Sequence, residues 1–178
     1  MFKRFLLGVV IFLFAANVTA SAAALINSDV EKVIEGIRRV SSQLNISVWG
    51  KEYYTYQGTR RCELHWGNSQ NNLIRFRTGN NNEVQRALVS FPAAGFDYDS
   101  FNTSMQSGFM YCAILIMAGV SDNEIQNFSR KLFDDCMADP YAEYFHKTYT
   151  LWSSQNQRNI IVDVEIKNTS MDVYMYAN

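Results

Sequence analysis

Residues 159–167, Asn-Ile-Ile-Val-Asp-Val-Glu-Ile-Lys, place Ile160, Val162, Val164 and Ile166 on one side and Asp163, Glu165 and Lys167 on the other. Side chains of an extended chain leave opposite faces with a period of two. A strand of this kind needs a dry layer on one face and water on the other, the condition of an antiparallel sheet covered on one side. That requirement constrains the whole fold: something must cover one face, and the other stays wet.

The cover is legible in two places. Val30, Val33, Ile34, Ile37, Val40 and Leu44 recur at helical spacing behind Ser28-Asp29-Val30-Glu31, which has the form of a capping box and predicts a helix over 29–43. Phe109 to Ala118 is apolar or aromatic throughout, which predicts a helix buried on all sides. It is reached from Phe96–Ser100, with Asp97 or Asp99 as cap. Gly119 stops it, and Ser121-Asp122-Asn123-Glu124 is a second capping box. The helix it opens carries Ile125, Phe128, Leu132 and Phe133 and ends near Asp139-Pro140.

Strand signals flank these helices. Segments 46–57, 61–66, 73–77 and 84–91 are rich in β-branched and aromatic residues and are joined by Gly/Asn turns, which predicts an antiparallel meander. Segments 144–152 and 159–167 return to strand, and 171–178 reads as a final edge strand. The order α-β-β-β-β-α-α-β-β predicts an α+β fold, an antiparallel sheet of about six strands with helices packed on one face.

The chain of 178 residues begins with Lys3 and Arg4, an unbroken apolar run from Phe5 to Ala16, and small residues through Ala24. This is the plan of a secretory signal peptide, expected at 1–24, with a single α+β domain at 25–178. The apolar run is short of the ~20 residues that a spanning helix requires, so no stable membrane anchor is expected after cleavage. Secretion, or release into a periplasm, is the expected destination. Loss of Lys3 and Arg4 moves the formal charge from −1 to about −3, which argues against nucleic acid as a partner. Charge is nonetheless uneven. Arg60, Arg61, Arg75, Arg77 and Arg86 face only Glu63 and Glu83 between Thr59 and Phe91, and acids outnumber bases from Gly119 onward.

Catalytic signals are weak. Cys62 and His65 are three residues apart, but on a strand they leave opposite faces. Neither a local dyad nor a metal pair forms on that strand alone. The other histidine, His146, could share the wet face with His65 if their strands were neighbours. There is no G-x-S-x-G, P-loop, dinucleotide fingerprint or H-E-x-x-H, and no cofactor or metal site is read. Of the three cysteines, Cys112 and Cys136 on adjacent helices would lie ~12 Å out of level, too far to bridge. Three free cysteines acting as small buried hydrophobes is the expectation, and a bridge from Cys62 to Cys112 or Cys136 is the alternative.

Aromatic residues are abundant, at 14% of the chain, and those in strands cannot all be core when helices cover one face. Simple alternation puts Trp49 and Tyr53 on one face of their strand, and Tyr54 and Tyr56 on the other. The expectation is an exported, non-catalytic binding protein for a protein, peptide or glycan, acting through the outer sheet face around Arg61, His65, Arg75 and Arg77. Two other classes compete: a small secreted enzyme whose Cys62, His65 or His146 are assembled by the fold, and a subunit of a secreted or envelope assembly.

Overall fold

The computed structural model describes residues 23–92, 98–138, 144–167 and 170–178, with the backbone alone for 98–107. Most of the expected leader, the Asp97 cap and the Asp139-Pro140 break lie outside the described residues. Among the described residues the fold is α+β, with eight antiparallel strands in one open sheet and three helices. The elements are β1 (Ile26–Asp29), α1 (Val30–Gln43), β2 (Val48–Tyr56), β3 (Thr59–Trp66), β4 (Leu73–Thr78), β5 (Glu83–Pro92), α2 (Tyr98–Met117), α3 (Asp122–Met137), β6 (Tyr144–Ser153), β7 (Arg158–Lys167) and β8 (Ser170–Ala177). The sheet runs β2-β3-β4-β5-β8-β7-β6, and β1 pairs with the start of β5.

Three expectations change here. The sheet has eight strands rather than about six, because β1 was too short to show a period and β8 joins fully. β8 is not an edge strand: it lies between β5 and β7 and makes seven register pairs with β5. Met171, Val173 and Met175 bury its inner side, so only an interior place satisfies it. The first helix begins one residue later than a Ser28 cap requires. Asp29 is the N-cap, accepting from the Glu31 amide at 2.8 Å, and Ser28 belongs to β1. Ser121 does cap α3, accepting from the Glu124 amide.

One core lies between the inner sheet face and the helices. α1 contributes Val30, Val33, Ile34 and Ile37, the sheet contributes Leu64, Phe76, Val89, Val162 and Val173, and α2 contributes Ile114 and Leu115. Each such side chain stabilises the fold by roughly 1.5–3 kcal/mol through burial. Polar contacts pin the helices over the sheet. Glu31 accepts from Tyr53 and Lys51 across α1 and β2, and Asp135 accepts from Tyr149 at 2.9 Å and pairs with Lys147 across α3 and β6. These donors, Tyr53 first for Glu31 and Lys147 first for Asp135, hold both carboxyls below their ordinary values.

α2 is not buried on all sides. Ile114 and Leu115 face the core, but Phe109 is 45% and Ile116 52% exposed. The helix lies in the outer layer, touching α1, α3 and β5 and leaving one side open. Among the described residues no helix is long and apolar enough to cross a membrane.

Candidate functional site

Residues 61–66 are strand, as their alternation requires. Cys62, Leu64 and Trp66 are buried, while Arg61, Glu63 and His65 leave by the opposite, helix-free face. Sulfur and imidazole are thus separated by the sheet. His146 is on the same outer face as His65, but its strand β6 lies five places from β3, about 24 Å at ~4.8 Å per strand. The two histidines do not share a site. The three cysteines are free. The Tyr111 and Phe128 rings meet edge to face at 5.9 Å, which levels Cys112 with Ser129 and leaves Cys136 further along α3. Burial pushes the Cys62 thiol up, and raises those of Cys112 and Cys136 to about 11.

The outer face is organised in rows across the strands. One row reads Tyr54, Arg61, Arg77, Arg86, Tyr176, Ile161, Thr150 from β2 to β6. Arg61 is the direct partner of Arg77, and Arg77 of Arg86. Three guanidiniums therefore rise from three adjacent strands within about 10 Å. Tyrosine rings flank them: the Arg61 guanidinium lies 4.6 Å from the Tyr56 centroid and that of Arg86 5.3 Å from Tyr176. Among the described residues none of the three makes an ion pair or hydrogen bond, and the Nε atoms of Arg61 and Arg77 are buried without a partner. Like charges directly opposite across a ladder destabilise it, so this row works against the fold.

The neighbouring row behaves differently. Arg75 donates from Nε and Nη2 to Glu63, each at 2.9 Å, and Tyr54 donates to the same carboxylate at 3.1 Å. Partial burial opposes the charge of Arg75, but the Glu63 hydrogen bond and charge outweigh it and raise its pKa. Arg75 is therefore already neutralised by its own strand pair. One row beyond, His65 stacks on Trp49 at 4.9 Å, with its Nε2 4.0 Å from Glu63 and its Nδ1 buried without a partner.

Of the four residues singled out from the sequence, all lie on one face. Arg61 and Arg77 share the free row, Arg75 is occupied, and His65 sits at the margin with Trp49. Arg86 completes the row and was missed. Alternation inward from Val84 would place Arg86 inside, but a register shift between Thr78–Val84 and Arg77–Arg86 turns it out. A second irregularity does the same to Trp49. The ladder slips between Trp49 and Glu52, with Gly50 at φ +69°, so Trp49 joins Tyr54 and Tyr56 outside while Tyr53 turns in towards Glu31.

The other half of the face is acidic and hydroxyl-rich. Asp163 accepts from Thr148 at 2.6 Å and from Tyr176 at 2.9 Å, Asp172 accepts from Tyr174, and Glu165 from Tyr144 and Lys167. Lys167 is the main reason the Glu165 carboxyl sits below its ordinary value. Comparison with family models, with curated proteins and with solved structures finds no match to this chain.

Proposed function

We propose that this chain is an exported, non-catalytic binding protein of the periplasm or extracellular space, whose open sheet face holds anionic groups of a protein, peptide or glycan partner. The observation that carries this is the row Arg61–Arg77–Arg86, three directly opposed guanidiniums with no carboxylate among them, the Nε atoms of Arg61 and Arg77 being buried and unpaired. An arrangement that costs stability is accounted for when a ligand supplies the missing charge. Guanidiniums match planar carboxylates and tetrahedral sulfate or phosphate through paired N–H donors, and the flanking tyrosines add flat apolar platforms. Export rests on the cationic start and apolar run of residues 3–24.

Titration with poly-L-glutamate and with dextran sulfate, followed by calorimetry, tests the reading. Wild-type chain is expected to bind at least one of these at low salt, and Arg77→Glu to lose binding. Equal binding by Arg77→Glu sinks the assignment of the row. The enzyme reading is tested separately by thiol alkylation of the native chain. With Cys62 and Cys136 buried, Cys112 half-buried and all three thiols raised, slow labelling is expected at pH 7, and one fast-labelling cysteine would favour a nucleophilic enzyme.

A further inference from the structure

We infer that the arginine row is the binding site of a linear acidic glycan, laid across the strands with one anionic group over each arginine. The inference rests on the binding reading above and names the ligand class of that same site.

The row has a direction and two ends. Tyr54, Arg61, Arg77, Arg86 and Tyr176 stand side by side on β2, β3, β4, β5 and β8. The line therefore runs across the strands for four spacings, roughly 19 Å. At one end β2 is the border of the sheet. At the other end the row continues into Ile161 and Thr150, which carry no charge. Asp163, which accepts from Tyr176, repels an anion that runs further in that direction.

The charges are held apart. Arg61 lies on the Tyr56 ring of β2 and Arg86 on the Tyr176 ring of β8, each on the side away from Arg77. The three guanidiniums therefore do not converge on one small anion; they form a line of separate charges. The matching ligand is extended and repeats its negative charge along its length. The buried Nε atoms of Arg61 and Arg77 leave the terminal Nη donors to meet it.

Two properties of the face separate a glycan from an acidic peptide. A peptide that reads a sheet adds to an edge, through main-chain hydrogen bonds. The three arginines stand on strands already paired on both sides, so a peptide crossing them finds no main-chain partner. A linear glycan has no main chain of amides to satisfy. One sugar unit is about as long as one strand spacing, so consecutive sugars reach consecutive arginines. The same face is also rich in rings. Trp49, Tyr56 and Tyr174 are exposed on it, and Tyr54 and Tyr176 are half-buried. Flat rings with a polar tip stack on the C–H face of a sugar while their hydroxyls stay in water.

Calorimetric titration at low salt tests this, with oligogalacturonates and with heparin-derived oligosaccharides graded from about two to about eight sugars. The two series separate carboxylate from sulfate as the anionic group. At least one series is expected to gain affinity steeply up to about five sugars, the span of the row, and then to level off. Oligo-L-glutamate of matched charge is expected to bind at least about tenfold more weakly. Arg77→Glu is expected to lose glycan binding. Tyr56→Ala is expected to weaken it about fivefold while leaving oligo-L-glutamate within about twofold. Circular dichroism establishes that both variants are folded; where Arg77→Glu is not, Arg77→Gln replaces it. Oligo-L-glutamate that binds as tightly as the glycans overturns the glycan, as does a glycan affinity unmoved by length or by Tyr56→Ala. If no glycan binds and poly-L-glutamate still binds through Arg77, the glycan falls and the binding reading stands. If neither binds, or if a folded Arg77 variant binds as the wild type does, both fall.

Discussion

On β6, β7 and β8, Asp163 is held by Thr148 and Tyr176, Asp172 by Tyr174, and Glu165 by Tyr144 and Lys167. On β3, β4 and β5, three arginines stand opposite one another with tyrosine rings beside them and no carboxylate. Both regions belong to the same sheet and face the same solvent. Each of these carboxylates has at least one donor within the chain, although Asp172 Oδ1 is buried without one. The basic half solves this only at Arg75, through Glu63, and leaves the adjacent row open. The difference separates carboxylates that find donors on neighbouring strands from guanidiniums that find no acceptor there.

The comparison can be broken most sharply by ligand binding. A charged hydrogen bond contributes about 1.5–3 kcal/mol, so Arg77→Glu/Arg86→Glu should weaken poly-L-glutamate binding by on the order of a hundredfold or more, measured by calorimetry. Asp163→Asn/Thr148→Val, with the same probe, should leave that affinity within about threefold if only the basic half binds. Stability should respond in the opposite sense. Asp163→Asn weakens two hydrogen bonds and should cost about 1 kcal/mol in denaturant unfolding. Arg77→Gln relieves like-charge opposition and should stabilise by about 0.5 kcal/mol. Equal losses for both substitutions would erase the distinction between the halves.

The smallest effect is on pH dependence. Glu31, Asp135 and Glu165 all have folded pKa values below their ordinary ones, held there first by Tyr53, Lys147 and Lys167 respectively. For such groups the unfolded chain takes up protons first as pH falls. Their contribution is therefore complete above the ordinary carboxylate range and is lost as pH drops through the folded values. Thermal unfolding should be nearly flat from pH 7 to about 5 and decline below about 4. Glu165→Gln should therefore flatten the acid limb, while Arg77→Gln, which removes none of these carboxylates, should not.

Much of the scaffold was legible because its signals were local. Strict alternation at Ile160–Ile166 and Cys62–Trp66 needed only the pleat, and both segments bury the residues it nominates. The register of α2 against α3 followed from helical rise and the position of Gly119. What was not legible depended on partners distant in sequence or on a lost residue of phase. Arg86 and Trp49 each sit beyond a ladder slip, and a slip of one reverses every face assignment past it. The exposure of Phe109 and Ile116 could not follow from apolarity, because a sequence records what a residue can bury, not whether a neighbour arrives to cover it. The arginine row itself was half visible as a cluster in sequence. Only the pairing of β3, β4 and β5 made it a line.

β8 carries a consequence for how the sheet is completed. Among the described residues the meander β2–β5 and the hairpin β6–β7 have no direct ladder between them, and β8 is the strand that joins them. Without β8 the facing borders of β5 and β7 would lack the ladder partner they have here, so a truncation ahead of Ser170 is expected to expose two strand edges open to association with other chains.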